Sequence, residues 1–234
     1  MSDFVIMPKE HWQNTCDAVR EKIGSSELIL SGDMAAAVAA IEAGGGEDWE
    51  DFFLNRTATS YSNNTVTAVG DYALAGFANL QSLELTQAVT LGKHACSQNP
   101  ILRSVSLPLA TSLGDRIFYN CSELESVSIP CVTKIGSYGF AYCSFLYNID
   151  LPAVTSIGAN AFTYCDVLEI VILRSASMCT LSAANAFSST PIKDGRGYIY
   201  VPRALVDTYK VNSVWSTYAN QFRAIEDYPD ICGG

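Results

Sequence analysis

Gly70, Gly92, Gly114, Gly136 and Gly158 follow one another at intervals of 22 residues without a slip. A fixed period of this length constrains a chain more than any local propensity does. One unit cannot bury its own apolar side, so copies must stack on one another. The residue before each glycine is apolar: Val69, Leu91, Leu113, Ile135 and Ile157. Four residues after the glycines stand Leu74, Cys96, Phe118, Phe140 and Phe162. Further columns read Leu80, Leu102, Leu124, Leu146, Leu168, then Leu83, Val105, Val127, Ile149, Val171, then Leu85, Leu107, Ile129, Leu151, Leu173. So many columns in register predict a solenoid.

Each unit has its own physical reading. The run Leu124-Glu125-Ser126-Val127-Ser128-Ile129-Pro130 alternates apolar and polar residues and ends in proline. Alternation at period two is the pattern of a half-buried strand, and proline stops the ladder. Val132 to Gly136 reads as a second short extended stretch, with the glycine expected to permit a tight bend. The following A-F-x-x-C, as in Ala161 to Cys165, sends one large ring and one small thiol inward. At about 4.8 Å per coil, six coils make a stack roughly 25 to 30 Å long.

The V-T-x-I-G-x-x-A-F-x-x-C-x-x-L-x-x-V-x-L-P pattern, nearly complete in Val154 to Leu173 and in Val132 to Pro152, resembles the BspA-type leucine-rich repeats of bacterial and phage surface proteins. The resemblance spans roughly Thr65 to Ile225 and implies a mainly β, parallel-sheet leucine-rich-repeat β-solenoid. The first two coils depart from the pattern: Phe77 and Asn99 stand for the cysteine, and Cys96 for the phenylalanine. The sixth coil is degenerate. Leu181, Ala186 and Phe187 restart the pattern, Lys193 to Gly197 is an inserted loop, and Ile199, Val201 and Pro202 restore the strand. Leu205, Tyr209, Trp215, Tyr218, Phe222 and Ile225 then read as a helical cap sealing the last coil.

Ahead of the repeats, Pro8 to Ile23 reads as a helix with Trp12, Cys16, Val19 and Ile23 on one face, ended by Gly24. Ser31 caps a second helix carrying Met34, Val38 and Ile41. The expected organisation is a helical hairpin over 1–43, a glycine-rich hinge over 44–48 and an N-terminal cap over 49–64. The last contains Trp49, Phe52, Phe53 and a polar strand from Arg56 to Tyr61. The solenoid follows over 65–202, and a C-terminal cap and tail over 203–234. Cys16 to Gly24 (CDAVREKIG) and Ser31 to Ala35 (SGDMA) resemble a leader common in proteins of tailed phages and prophages of gut Firmicutes. That resemblance implies attachment to a phage tail or baseplate protein.

Composition narrows the function classes. The net charge is −10 and only 14 basic residues are scattered through the chain, so a phosphate-tracking nucleic-acid surface is not expected. No stretch has the length of a membrane-spanning helix, and the opening MSDFVIMPKEHWQ does not read as a signal peptide. Cys121, Cys143 and Cys165 fall at the repeat period. Stacked side chains point the same way and an odd ladder leaves one over, so buried free thiols are expected rather than disulfides. None of the eight cysteines forms a C-x-x-C pair, and only His11 and His94 could join them, so neither zinc nor a cofactor is expected. His94 shares a variable column with Tyr72, Arg116, Tyr138 and Asn160, and the neighbouring carboxylates Glu123 and Glu125 lie on a repeat strand. Neither carries a catalytic context.

Recognition is left to the outward face of the main sheet. One outward column reads Ser82, Ser104, Ser126, Asn148, Ile170, and its neighbour Glu84, Ser106, Ser128, Asp150, Ile172; the last coil adds Tyr198 and Tyr200. The turn from serine to isoleucine and tyrosine marks Ile170, Ile172, Tyr198 and Tyr200, with Asn148 and Asp150 beside them, as the expected contact patch. Tyr119, Tyr142 and Tyr164 on the bends form a weaker candidate for stacking on sugars. The expected function is a non-enzymatic module of a phage or prophage tail that contacts a protein or glycan on a bacterial surface. A cell-surface or secreted adhesin is the alternative, and oligomerisation stays open.

Overall fold

The computed structural model describes residues 58–233, so the hairpin, the hinge and the aromatic residues Trp49, Phe52 and Phe53 lie outside the described residues. From Ser60 onward the chain winds as a repetition of short strand, bend and longer strand. Each of six coils contributes two strands: β2 (Ala68–Val69) and β3 (Ser82–Leu85), β4 (Thr90–Leu91) and β5 (Ser104–Ser106), β6 (Ser112–Leu113) and β7 (Ser126–Ser128). Coils four to six supply β8 (Lys134–Ile135) and β9 (Asn148–Leu151), β10 (Ser156–Ile157) and β11 (Ile170–Leu173), β12 (Thr180–Leu181) and β13 (Tyr198–Val201). All pairings are parallel, and in the regular coils residue i lies opposite i+22, as in Ser104↔Ser126 and Val105↔Val127. β1 (Ser60–Asn63), inside the stretch expected to be a cap, is already in register with β3.

The short strands form one unbroken six-stranded sheet from β2 to β12. The long strands divide into two four-stranded sheets, β1-β3-β5-β7 and one comprising β9, β11, β13 and β14 (Phe222–Ala224). The division falls between coils three and four, where Val127 is half-buried although Val105 and Ile149 are buried. The third side is a hydrogen-bonded ladder of bends. Tyr72, His94, Arg116 and Tyr138 each donate their N–H to the next coil, to Lys93, Asp115, Ser137 and Ala159. These four, with Asn160, adopt positive φ of 55 to 62°. A second such column holds Gly76, Gln98, Asn120, Tyr142, Tyr164 and Ser189.

The repeat glycines do something other than bend. The left-handed conformation falls two and six residues after them, while a Cβ on Gly136 would sit 2.6 Å from Asp115 N and Gly114 C of the preceding coil. Glycine is required there because two backbones touch.

Three ladders hold the coils together. Phe118, Phe140, Phe162 and Phe187 are fully buried, with centroids 5.2 to 5.4 Å apart, within the range where ring pairs attract beyond their area burial. The thiols of Cys121, Cys143 and Cys165 are reduced and each donates to a carbonyl of the preceding coil, at 3.2, 3.3 and 3.1 Å. Asn99, which stands in the cysteine column, makes the same bond with its amide, to Leu74 O at 2.9 Å. On the outside, Thr111, Thr133 and Thr155 hydroxyls donate to Val89, Thr111 and Thr133 carbonyls.

The last coil has no seventh copy above it, and the C-terminal residues complete its bonds. Trp215 Nε1 donates to Cys179 O at 2.7 Å, Tyr209 Oη accepts from Cys179 N at 2.7 Å, and Tyr218 Oη donates to Ala184 O at 2.6 Å. Tyrosine and tryptophan suit this task because each brings a buried ring and one polar tip. The cap is not wholly helical as expected. α1 (Val206–Val211) and the 3-10 turn over Trp215–Gln221 lead into β14, a parallel partner of β13 that pairs Ile199 with Phe222. The spacing Tyr218 to Phe222 mimics a helix turn, but the free edge of β13 captures the backbone.

Burial pushes the core thiols up, Cys121 and Cys179 to about 12, while Cys131 is exposed at a corner. Since the thiolate is the nucleophile, iodoacetamide on the native protein at mild alkaline pH is expected to label Cys131. The peptides of Cys96, Cys121, Cys143, Cys165 and Cys179 should stay unlabelled until denaturant is added. Mass mapping of labelled peptides reads this, and native labelling of Cys143 would contradict the burial.

Candidate functional site

Parallel pairing of β9, β11 and β13 sets Asn148, Ile170 and Tyr198 in one row and Asp150, Ile172 and Tyr200 in the next. All six predicted residues are therefore brought together. They do not form the open contact patch expected of them. Residues 225–232 of the same chain lie across it, and Ile172, Tyr200 and Cys232 form a small buried cluster of their own, flanked by Ile225 and Tyr228. Tyr200 meets Tyr228 edge-on at 5.3 Å. Ile170 and Tyr198 are half-buried, and the Arg223 guanidinium stacks 4.2 Å over the Tyr198 ring.

Arg174 fastens this cover. Its Nε lies 2.9 Å from both Asp150 carboxylate oxygens, and its Nη2 donates to the Cys232 carbonyl. Asp150 is thus committed to an intramolecular ion pair, and only Asn148 of the six remains exposed. The physical reason is ordinary: two rows of isoleucine and tyrosine are too apolar to leave in water when the chain has a segment within reach that can cover them. The rest of the main face is polar, with Ser104, Ser126 and Ser128 exposed and Ser62 bonded to Glu84 at 3.2 Å.

Of the large apolar side chains that remain exposed, Tyr72, Val89, Leu109, Val211 and Ile231 are scattered, and four others fall in coils four and five. Phe145 is 58% exposed and Tyr147 45%, both on the segment leading into β9, and Val167 and Tyr164 follow in the next coil. Phe145 and Val167 occupy equivalent positions 22 residues apart, as do Glu125, Tyr147 and Glu169. This edge borders the division between β7 and β9. It is not legible from periodicity because these columns lie between the strand and the bend and hold no fixed residue type. The signal was the replacement of Glu123 by Phe145 and of Glu125 by Tyr147 at the same register.

The tyrosines of the bends are stacked on one another. Tyr142 lies 4.8 Å from Tyr164 with planes 16° apart, and Tyr119 meets Tyr142 edge-on at 5.3 Å. A ring face already used by its neighbour is not available to a sugar. His94 stacks on Tyr72 at 4.6 Å, and its Nδ1 lies 3.3 Å from Ser97 Oγ. Desolvation, then Arg116, lowers the imidazole below its usual pKa. Ser97 is buried, and the two nearest carboxylates are occupied: Asp71 accepts from Lys93 N at 2.6 Å and Asp115 from Ser137 N at 2.8 Å. The pair sits within the bend that His94 and Ser97 share. Among the described residues no group of three or more His, Cys, Asp or Glu side chains could hold a metal, and no helix is long and apolar enough to cross a membrane.

A family model described as a BspA type leucine rich repeat region matches residues 67–193 in six copies. Among solved structures, a leucine-rich repeat protein from Bacteroides ovatus is similar at 21% identity and a TM-score of 0.53, covering 70% of this chain and 47% of that one. The Treponema pallidum leucine-rich repeat protein shows 22% identity over 51% of this chain and 59% of that one, with a TM-score of 0.46. A leucine-rich cell surface protein of Faecalibacterium prausnitzii shows 21% identity over 68% of this chain and 43% of that one, with a TM-score of 0.44. The match spans about half the length of the B. ovatus structure. No curated protein matches the chain.

Proposed function

Because the chain belongs to the BspA-type leucine-rich repeat family, we propose that it is a non-enzymatic recognition module that contacts a protein or glycan on a bacterial surface. The inward columns explain only stacking, so recognition belongs to outward side chains that break the repeat. One observation carries the assignment of the surface: the uncovered rings of Phe145 and Tyr147, with Val167 beside them, stand on the edge of coils four and five. The Ile172 and Tyr200 patch, by contrast, is already satisfied by residues 225–232. Exposed aromatic groups are the side chains that interfaces favour.

The double variant Phe145→Ala/Tyr147→Ala is expected to lose at least about tenfold in binding to responsive bacteria. Its melting temperature should stay within about 2 °C of the parent, because neither ring is part of the core. Flow cytometry of labelled protein on a panel of intact bacteria reads the first, and calorimetry the second. Unchanged cell binding by the variant would remove this edge from the recognition surface.

The setting in which the module works is read from the resemblance of residues 16–24 and 31–35 to phage tail leaders. On that reading the N-terminal hairpin joins a tail or baseplate protein and the solenoid faces the host. Mass spectrometry of purified phage particles tests it. Recovery of the chain from the bacterial surface fraction instead would make it an adhesin.

A further inference from the structure

We infer that the edge of coils three to five docks a basic protein segment, which lays an arginine or lysine over the exposed rings of Tyr147 and Phe145. The inference rests on the recognition reading above and names the chemistry of the partner. Two neighbouring columns compose the edge: Glu125, Tyr147 and Glu169 in one, Glu123, Phe145 and Val167 in the other. Tyr147 thus stands at the register position between two glutamates, and backbone bonding of Glu169 N to Tyr147 O at 3.0 Å fixes the last two side by side. Asp166, exposed next to Val167, adds a further carboxylate.

Arg103, one register position before Glu125, offsets part of this edge's charge, since it pairs with Glu123 and acts on Glu125 as well. Arg103 pairs with Glu123 at 2.8 Å and Arg174 with Asp150 at 2.8 Å. Among the described residues, Glu125, Asp166 and Glu169 have no ion-pair partner. In other places the protein covers a tyrosine face with its own guanidinium: Arg116 lies 4.9 Å over Tyr138, and Arg223 lies 4.2 Å over Tyr198. No described cation plays that part for Tyr147. A cation from outside would complete the same arrangement, attracted by the ring quadrupole within about 6 Å and by the flanking carboxylates. The net charge of −10 steers such a partner in.

The same chemistry disfavours other occupants. Phosphate backbones are repelled. A neutral glycan seeks donors as well as acceptors, whereas Glu125, Asp166 and Glu169 offer acceptors only and the Arg103 guanidinium is engaged by Glu123.

The test uses the full chain and fluorescein-labelled nona-arginine, with labelled nona-glutamate and labelled chitohexaose in parallel, read by fluorescence polarisation. Nona-arginine is expected to bind and the other two not to. Glu125→Gln/Glu169→Gln should weaken it about tenfold and Tyr147→Ala about fivefold at low salt, whereas Asp194→Asn/Asp207→Asn, which removes equal charge elsewhere, should change it less than about twofold. Equal losses from both charge pairs, or preference for chitohexaose, would overturn the inference. The same variants on bacterial cells keep the two readings apart. If Phe145→Ala/Tyr147→Ala abolishes cell binding and the glutamine pair does not, recognition stands and the basic partner falls. If nona-arginine binds this edge but cell binding ignores both variants, the basic partner stands and surface recognition falls.

Discussion

Replacing Gly136 by alanine is expected to cost about 3 to 5 kcal/mol and to lower the melting temperature by roughly 10 °C. A Cβ there would lie 2.6 Å from Asp115 N, 2.6 Å from Gly114 C and 2.7 Å from Gly114 O. All three are backbone atoms of the coil below, so no side chain can rotate away. Relief requires the coils to part. That strains the bond from Gly136 N to Leu113 O at 3.0 Å and the neighbouring bond from Arg116 N to Ser137 O at 2.9 Å, each worth about 1 kcal/mol. Overpacking adds about 1 to 3 kcal/mol. Coils in a solenoid hold only their neighbours, so a defect in the fourth of six separates the stack into two short halves. Gly195→Ala is the informative control. Gly195 has a φ of +84° but open space, with Gln221 Nε2 at 3.8 Å the nearest atom, so alanine there pays backbone strain of about 1 kcal/mol and no clash. Calorimetry of the two variants separates the explanations. Equal small shifts would mean that the coils are not in contact along the glycine column.

That contrast also shows what a sequence can display. The inward columns are legible because every coil repeats the same demand: Phe118, Phe140 and Phe162 announce a stack before any coordinate is known. The purpose of the glycines is not, since the atom that forbids a Cβ on Gly136 belongs to residue 114 or 115 and a local reading sees only a bend. The left-handed positions are not legible in the sequence because Tyr72, His94, Arg116, Tyr138 and Asn160 share a backbone conformation and no chemistry. At the C-terminal end, alternation correctly assigned Ile170, Ile172, Tyr198 and Tyr200 to the outward face of the sheet. It could not reveal that Cys232, some sixty positions beyond Ile172, covers two of them. In retrospect the change from serine to isoleucine and tyrosine marks the part of the sheet that is not left in water. Phe145 and Tyr147 carry the opposite lesson. Their columns have no fixed residue type, and only the fold shows that nothing described lies over them.

The buried thiols lead to the second large effect: the protein is expected to lose its stability steeply just above pH 9. Cys96, Cys121, Cys143, Cys165 and Cys179 all belong to the main core, and desolvation raises every one of them, Cys121 and Cys179 to about 12 and the other three well above the ordinary thiol value. In the unfolded chain these thiols ionise near 9. Below that value both states are protonated and the full stability is present. As pH rises toward the folded-state values only the unfolded chain sheds protons, so ionisation draws the equilibrium toward it. Each thiol then removes about 1.4 kcal/mol per pH unit, and five acting together about 7 kcal/mol per unit. A domain stabilised by roughly 5 to 15 kcal/mol therefore unfolds within one to two units of pH 9. Tyr209, also pushed up to about 12 by burial, steepens the loss above pH 10. Denaturant titrations at pH 8 to 11, with the thiols kept reduced, measure the slope. The triple variant Cys121→Ser/Cys143→Ser/Cys165→Ser preserves a donor for the carbonyls of Cys96, Phe118 and Phe140 but removes three titrating groups. Its slope should fall to about two fifths of the parent's. A parent slope of only about 1.4 kcal/mol per unit would mean that the cysteine ladder ionises in place, and the dry core described for it would be wrong.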